Sequence, residues 1–505
     1  MKRSFFSSAL HMARPTTRRE FLLRAGAGFG GLALAALMAH EAAGGSAARN
    51  NPLAPRAPHF PARARSVIFC FMDGGPSHID LFDPKPLLKK LAGKPLPPSF
   101  PRPMTAMGST AYTPLLASTR TFKQHGQSGL WVSDWYPEIA RCVDDIAVIR
   151  SCRADGQTHV ASVCQMNTGN LRPGRPSLGA WALYGLGTAC DNLPGFVVLT
   201  DSEVEPPGGD HNWGTGFMPA TYQGTHFAPG KTPILYADSP AGITPVRQRA
   251  KVDYINQLNK HYTARLVGLV GPASRRSRAG WSRLAAVASE EVESIEARIA
   301  AYELAYRMQS SAPEVVDLSR ETVETQRLYG LDRPETAANG RNCLLARRLV
   351  ERGVRFVQLY MGSGSRWDAH SDLDKNHAQA CLESDRPIAG LLKDLKRRGM
   401  LDSTLVVWGG EFGRTPMSES GNGRDHNPFG FTMWMAGGGV KGGITYGSTD
   451  DIGLYAVDKP VHVHDIHATI LALLGLDHKQ LTFLHDGRDE RLTETSGHVI
   501  EEIMR

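Results

Sequence analysis

The chain has 505 residues, of which 41% are hydrophobic and 21% are charged. This composition excludes a disordered chain and suffices for one large core or two moderate ones. The formal net charge is +7, but residues 1–45 contribute six Lys or Arg and two Glu, which leaves +3 for the rest of the chain. A near-neutral body gives no electrostatic reason to expect a nucleic-acid partner.

The first 45 residues combine an arginine pair with a short apolar run. Arg18 and Arg19 precede a Gly/Ala-rich run from Ala25 to Ala39, which four glycines interrupt. The run is shorter than the roughly 20 residues of a membrane span. This pattern resembles a twin-arginine export signal. An uncleaved anchor is the alternative, because no small-x-small cleavage site stands out before Ala48.

We therefore expect residues 1–45 to be a signal peptide that the twin-arginine export machinery recognises. The mature protein is then periplasmic or otherwise extracytoplasmic, and it has no stable membrane span after cleavage. A Pro-rich linker, residues 46–65, follows the signal.

Beyond the linker, apolar runs of strand length alternate with helical patterns. The runs lie at Ser66–Met72, Asp145–Ser151, Gly195–Thr200, Val354–Met361 and Thr404–Gly410. Wholly apolar runs of this length are typical of parallel strands whose sheet is covered on both faces. Helical patterns lie at Asn342–Arg352 and Asp385–Gly399, and an amphipathic pattern at Gly280–Gln309 predicts a helical insertion near residues 275–315. The predicted fold class is α/β, with residues 66–505 as a single domain around a mainly parallel sheet covered by helices on both faces.

Side chains of metal-ligand type follow three of these runs: Asp73 after the first, Asp368 and His370 after the fourth, and Glu411, then Asp425 and His426, after the fifth. Carboxylates and imidazoles hold zinc and similar divalent ions. Open α/β sheets place their sites at the carboxyl ends of strands. In an extended segment, Asp368 and His370 point to the same side, which suits two ligands of one ion. The alternatives are a turn-forming Asp73 and a solvated polar loop around Asp368.

The order of these ligand types is similar to that of the alkaline phosphatase and sulfatase superfamily. The segment Val461–Asp477 also resembles a sulfatase-type element in which an Asp starts a helix that ends in Leu-Leu-Gly. More closely, the motifs FMDGGPSHIDLFDPKP, NTGNLRPGRPSLGAWALYGLG and GGEFGRTP resemble an uncharacterised family of twin-arginine-exported bacterial proteins, a domain of unknown function within that superfamily. This resemblance covers nearly the whole mature chain. It implies an alkaline-phosphatase-like sandwich that binds divalent metal, zinc first, with manganese or calcium as alternatives.

Carried over residue by residue, the resemblance implies six metal ligands: Asp73, Asp368, His370, Glu411, Asp425 and His426. This chain departs from the superfamily pattern in three places. Phe412 stands where an Asp-His-Gly motif would supply a histidine, and Glu411 is one methylene longer than the usual Asp. The third departure concerns the nucleophile.

In the superfamily, the nucleophile lies at the start of a helix, where free backbone N–H groups favour an anion. Here that position falls on His159, after Thr158. We expect His159 to act as ligand or acid/base, or Thr158 to act as nucleophile. A Thr158 that only caps the helix is the third possibility. Arg414 is predicted to clamp an anionic oxygen of the substrate, or else to pair with Glu411 or Glu419.

Two functions from different classes follow. The first is an exported, metal-dependent hydrolase of phosphate or sulfate esters, whose anionic substrates include polysaccharide-derived esters. The second is a non-catalytic extracytoplasmic protein that kept the fold and binds metal or another ligand. Phe412 and the missing standard nucleophile favour the second function.

Overall fold

The structure is a computed structural model that describes residues 51–230, 233–234, 242–269 and 278–505. Residues Leu53–Arg505 form one compact unit. The predicted signal peptide and the first five residues of the predicted linker lie outside the described residues. Within those ranges, no helix is both long enough and apolar enough to cross a membrane.

Strands and helices alternate through most of this unit. The strands are β1 Ser66–Met72, β2 Phe122–His125, β3 Leu130–Ser133, β4 Ile146–Arg153, β5 Phe196–Thr200, β6 Thr225–Phe227, β7 Phe356–Met361, β8 Thr404–Gly409, β9 Gly413–Glu419, β10 Gly423–Asn427, β11 Phe431–Ala436, β12 Ile444–Tyr446, β13 Ser448–Thr449, β14 Ala456–Asp458, β15 Val461–His462, β16 Phe483–His485 and β17 Arg488–Glu490. The α-helices are α1 His78–Leu81, α2 Pro86–Leu91, α3 His159–Thr168, α4 Leu178–Leu186, α5 Pro245–Leu269, α6 Arg278–Val316, α7 Val323–Leu328, α8 Pro334–Glu351, α9 Leu373–Arg397 and α10 Val463–Leu473.

A mixed, mostly parallel sheet of nine strands forms the centre of the unit. Its order is β12-β4-β11-β8-β1-β7-β5-β6, and β15 pairs with the end of β4. β11 runs antiparallel to both of its neighbours, β4 and β8, whereas the other pairings in this sheet are parallel. The prediction of a mainly parallel α/β sheet is therefore confirmed.

β1 shows why its sequence is apolar throughout. Successive side chains of a strand point to opposite faces of the sheet. Ile68, Cys70 and Met72 pack into one hydrophobic core, whereas Val67, Phe69 and Phe71 pack into the other. The first core includes side chains of α8 and α9, and the second includes side chains of α3, α4 and α10. Helices therefore cover both faces, and a strand at the centre has no solvent-facing side.

The predicted strands begin and end within two residues of the observed ones. The segment from Val406 to Gly443 differs more, because no strand was predicted after Gly410. Instead, β9 and β10 form an antiparallel hairpin that leads into β11. Asp425 and His426 therefore lie on a strand, and His426 pairs across the hairpin with Arg414.

A buried arginine joins α8 to α9. The Arg347 side chain is 2% exposed, and its Nε lies 3.1 Å from Oδ2 of Asp394 on α9. Its Nη2 lies 2.7 Å from Oε1 of Glu321. Asp394 is fully buried, and Tyr329 donates its hydroxyl to the same Oδ2 at 3.0 Å. A buried carboxylate of this kind depends on its counter-ions.

Arg347→Met removes the buried counter-ion of Asp394 without reducing the volume of the side chain greatly. We expect the free energy of unfolding to fall by about 3 kcal/mol, because the carboxylate is left buried and less compensated. Urea denaturation measures the change. The matched control is Arg397→Met, since Arg397 also donates to Asp394, at 3.0 Å, but is 46% exposed. That variant should lose about 1 kcal/mol or less, and equal losses in both would contradict the assignment.

Candidate metal centre

The predicted ligands meet at the carboxyl edge of the central sheet. Asp73 follows β1, His159 begins α3 after β4, Asp368 and His370 lie between β7 and α9, Glu411 follows β8, and Asp425 and His426 lie on β10. Parallel strands end at the same edge, so residues far apart in sequence become neighbours there.

Asp368 lies at the centre of a cluster of imidazoles. Nε2 of His370 lies 3.0 Å from Oδ1 of Asp368, and Nε2 of His426 lies 3.3 Å from the same oxygen. Nε2 of His159 lies 3.2 Å from Oδ2. One ligand atom from each of these four residues lies within 4.8 Å of all the others. The alternation of Asp368 and His370 thus places both side chains on one site, as expected.

In two of these rings, the hydrogen-bond partner of Nδ1 determines which ring nitrogen carries the lone pair. Nδ1 of His426 lies 2.7 Å from the carbonyl oxygen of Gln157, which can only accept a hydrogen bond. Nδ1 of His370 lies 2.5 Å from Oε2 of Glu419. In the neutral rings, both Nδ1 atoms therefore carry the hydrogen and both Nε2 atoms carry the lone pair.

These two Nε2 atoms lie 3.1 Å apart and both face Oδ1 of Asp368. Electron-rich atoms at these distances repel one another unless a cation compensates them. A histidine that donates its other ring N–H to a carbonyl or carboxylate is typical of metal ligands. The donor set of Asp368, His370 and His426 therefore fits a divalent ion such as zinc.

The pKa values agree with an anionic centre surrounded by imidazoles. Burial raises the pKa of Asp368, but hydrogen bonds with the protonated forms of His159, His370 and His426 outweigh burial and hold that pKa well below its usual range. The hydrogen bond to Asp368 raises the pKa of His370, whereas burial lowers the pKa of His426. Asp368 is thus an anion at neutral pH, and His426 is the ring that stays neutral most readily.

A second pair of acids lies beside the cluster. The Glu411 side chain is fully buried, and its Oε1 lies 2.7 Å from Nδ1 of His159. Oδ2 of Asp73 accepts the N–H of Ser365 at 2.9 Å, and Oδ1 has no partner among the described residues. Burial, followed by the charge of Glu411, raises the pKa of Asp73 to about 8. Burial lowers the pKa of His159, but hydrogen bonds with Asp368 and Glu411 outweigh it and raise this pKa to about 9.

Phe412 forms an apolar wall of the centre. Its ring stacks on His426 with centroids 4.4 Å apart, and its centroid lies 5.2 Å from that of His159. The imidazole beside Glu411 therefore comes from His159 at the start of α3, and not from the position that follows Glu411. With Phe412 at this position, the imidazole is supplied by the start of α3 and not by the segment that follows β8.

Arg414 lies beneath the centre. Its side chain is fully buried and donates to Oδ1 of Asp368 at 2.7 Å, to the carbonyl of Gly75 at 2.9 Å and to that of Arg424 at 3.2 Å. Its ion pair is thus with Asp368, and not with Glu411 or Glu419 as the alternative held. In this arrangement the guanidinium orients Asp368; a contact with substrate stays a prediction.

Asp425 anchors a neighbouring segment. Its Oδ2 accepts the N–H of Met107 at 3.0 Å and the hydroxyl of Thr110 at 2.5 Å, while Oδ1 accepts the N–H of His426 at 2.7 Å. One of its oxygens also belongs to a second possible ligand set, together with His370 and Glu419. Its role as a ligand stays a prediction.

Thr158 occupies the N-cap position of α3, but its side chain makes no capping hydrogen bond. The residue is exposed. Its hydroxyl is therefore not used to hold the helix end, and it lies next to His159 at the edge of the cluster. The backbone N–H groups of the first turn of α3 have no partner within the helix.

Two residues of the centre were not predicted from the sequence. Glu419 orients His370, and Gln157 orients His426 through its main-chain carbonyl. A main-chain contact leaves no signal in the residue type. Glu419 lies opposite Gly423 in the β9–β10 hairpin, a pairing that the sequence did not predict.

A family model described as "Protein of unknown function (DUF1501)" matches residues 64–268 and 267–504. The chain belongs to this family. No curated protein matches the chain. Among solved structures, it is similar to the alkaline phosphatase of the Antarctic bacterium TAB5, with 10% identity, a TM-score of 0.33, and coverage of 82% of this chain and 99% of that chain.

Two further solved structures show a comparable likeness. The first is the PsFucS1 sulfatase of Pseudoalteromonas sp., with 11% identity, a TM-score of 0.33, and coverage of 83% of this chain and 68% of that chain. The second is the phosphonate monoester hydrolase of Silicibacter pomeroyi, with 12% identity, a TM-score of 0.32, and coverage of 70% of each chain.

We expect zinc to bind chelator-treated protein at the Asp368 cluster, as measured by isothermal titration calorimetry. His426→Ala should abolish this binding, because it removes a ligand nitrogen. Glu419→Gln keeps the ligands but weakens the orientation of His370, so the affinity should fall about 10-fold to 100-fold.

The matched control is His478→Ala, since His478 is buried outside the centre and contacts Thr493 at 2.9 Å. This variant should bind zinc as the wild type does. Unchanged zinc binding in His426→Ala would contradict the assigned centre.

Proposed function

We propose that the chain is a metal-dependent hydrolase of phosphate or sulfate esters. The observation that carries this proposal is the pair of imidazole Nε2 atoms, 3.1 Å apart, that face the Asp368 carboxylate at the carboxyl edge of the sheet. Asp368, His370 and His426 would hold the ion, and His159 is available as a fourth side chain. When bound, such an ion polarises an ester oxygen and lowers the pKa of water towards about 7.

The start of α3 suits the anionic part of an ester. The N–H groups of its first turn lack partners within the helix and can donate to phosphate or sulfate oxygens. Thr158 and His159, at this helix start, lie where such a group would sit. The 3.2 Å distance from His159 to Asp368 supports a position of the bound ester next to the cluster.

Two routes are open to these side chains. In the first, His159 takes the hydroxyl proton as the Thr158 oxygen bonds to phosphorus or sulfur, and it gives that proton to the ester oxygen that leaves; water then cleaves the covalent intermediate and restores the Thr158 hydroxyl. In the second, water attacks directly and His159 transfers the proton. Contacts with Asp368 and Glu411, at 3.2 and 2.7 Å, hold the His159 ring in one orientation for either role.

One observation favours the second function, a non-catalytic metal-binding protein. Phe412 is 1% exposed and its ring stacks on His426, so the centre has an apolar wall beside Glu411. A phenyl ring in this position supplies neither a ligand nor a catalytic group. Activity measurements separate the two functions.

We expect the zinc- or manganese-loaded chain to hydrolyse members of a panel of aryl phosphate monoesters, diesters and aryl sulfates. Asp368→Asn should lower kcat/KM at least about 100-fold, because it removes the charge at the centre of the cluster. If Thr158 is the nucleophile, Thr158→Ala loses activity to a similar degree. If water attacks directly, Thr158→Ala stays active and His159→Ala does not.

The matched control is Asp385→Asn, since Asp385 is buried away from the centre and accepts the N–H groups of Glu138 and Ile139. Its activity should remain close to that of the wild type. A wild type that binds zinc but hydrolyses no member of the panel would support the binding function instead.

We also propose that the chain is exported by the twin-arginine pathway to the periplasm or another extracytoplasmic location. Arg18 and Arg19 in front of the Gly/Ala-rich run Ala25–Ala39 support this proposal. The substrate is then an anionic ester met outside the cytoplasm, and polysaccharide-derived esters belong to that class.

Export should fail in the double variant Arg18→Lys/Arg19→Lys, because the pathway reads the arginine pair itself. Cell fractionation and immunoblotting measure the location of the chain. Arg14→Lys is the control, because it keeps the same charge and leaves the pair intact. A double variant that is exported as efficiently as the control would refute this route.

A further inference from the structure

The exposed face of α5 carries an apolar ridge. Its members recur at every fourth position: Val246, Ala250, Tyr254, Leu258 and Tyr262. Val246, Tyr254, Leu258 and Tyr262 are 79%, 62%, 50% and 51% exposed. Residues four apart are neighbours on a helix and each step of four turns by about 40°, so these side chains form a row about 24 Å long that winds over the outer half of the helix. We call this row the α5 ridge.

The opposite face of α5 packs against α6. Val252 and Asn256 are buried, and the Asn256 side-chain amide donates to Oε1 of Glu303 on α6 at 2.6 Å. The α5 ridge therefore points away from the helix that α5 packs on. These side chains are exposed in the folded pair of helices and do not line a gap in the hydrophobic core.

Basic side chains surround the ridge. Those that are exposed are Arg247, Lys251, Lys260 and Arg265. The only acid between residues 245 and 269 is Asp253. Asp253 pairs with Arg249, which also contacts Glu303 on α6 at 2.8 Å. The acid is thus engaged on the α6 side, and the exposed charged side chains of α5 beside the ridge are basic.

The combination of an apolar ridge and basic side chains indicates which kind of partner can bind α5. Packing two copies through the same face would bring like charges together, which opposes association. Apolar and aromatic side chains beside Lys and Arg are typical of helices that lie in the interface of an anionic bilayer. There, Tyr and Leu side chains enter the boundary of the acyl chains while the long basic side chains reach the headgroups.

We propose that α5 docks the chain on a membrane surface rich in anionic phospholipid. The contact is peripheral and electrostatic in part, so high salt weakens it. It uses none of the residues of the metal centre and is therefore independent of the proposed hydrolysis.

Hydrogen exchange of the full chain, followed by mass spectrometry, tests this contact locally. Residues 1–45 are themselves basic and can bind anionic vesicles, so the readout must be the amides of residues 246–262 and not the total binding. Vesicles of phosphatidylcholine with phosphatidylglycerol should slow exchange in this segment several-fold. Vesicles of phosphatidylcholine alone should not slow the exchange. With anionic vesicles at high salt, the exchange should not be slowed either. Equal slowing by both kinds of vesicle, or none by either, would overturn the proposal.

Variants identify the side chains responsible. The triple variant Tyr254→Ser/Leu258→Ser/Tyr262→Ser and the double variant Lys251→Glu/Arg265→Glu should each lose the protection. The matched controls replace exposed residues elsewhere: Val457→Ser/Leu484→Ser for the apolar set, and Lys89→Glu/Lys90→Glu for the charges. These control variants should keep the protection from hydrogen exchange.

Circular dichroism and zinc binding confirm that each variant is folded. Protection that persists in the triple variant would overturn the proposal. So would protection of α5 that appears without vesicles as the protein concentration rises, because the ridge would then be an interface between copies of the chain.

Discussion

The buried guanidinium of Arg414 joins the loops from which the metal centre is built. It contacts the carbonyls of Gly74 and Gly75 after β1, that of Arg424 on β10, and the carboxylate of Asp368 after β7. Arg is suited to this position because its planar group donates several hydrogen bonds in fixed directions and keeps its charge when buried. Three chain segments, remote in sequence, therefore share one fixed point beneath Asp368.

The charges around Asp368 determine which ions the centre can bind. Asp368 is kept ionised by Arg414 on one side and by imidazoles on the other. Glu419 and the carbonyl of Gln157 turn two of those rings so that their unprotonated nitrogens converge. Glu419 and Gln157 thus orient the ligand rings without needing to contact the ion, an arrangement that is common in metal proteins. The acid Glu411 reaches it through His159.

The sequence allowed the sheet to be predicted because its central strands are buried on both faces, and their apolar runs are unmistakable. β11 is equally apolar but was not among the predicted strands. The predicted ligands assemble because parallel strands end at one edge, which is a property of the fold and not of any local pattern. Three features could not be predicted: the main-chain role of Gln157, the burial of Arg414, and the hydrogen bonds that Asp425 accepts from Met107 and Thr110. Each depends on which loops meet in space.

The reversed direction of β11 explains how His426 reaches the centre. Because β11 runs antiparallel, its amino end lies at the carboxyl edge of its neighbours, and the β9–β10 hairpin that leads into it is delivered there. The tip of that hairpin, residues 420–422, is exposed. Insertions at this tip can lengthen the hairpin over the centre without shifting the paired residues Arg414 and His426. The tip is thus a point where the surroundings of the centre can change while His426 keeps its register.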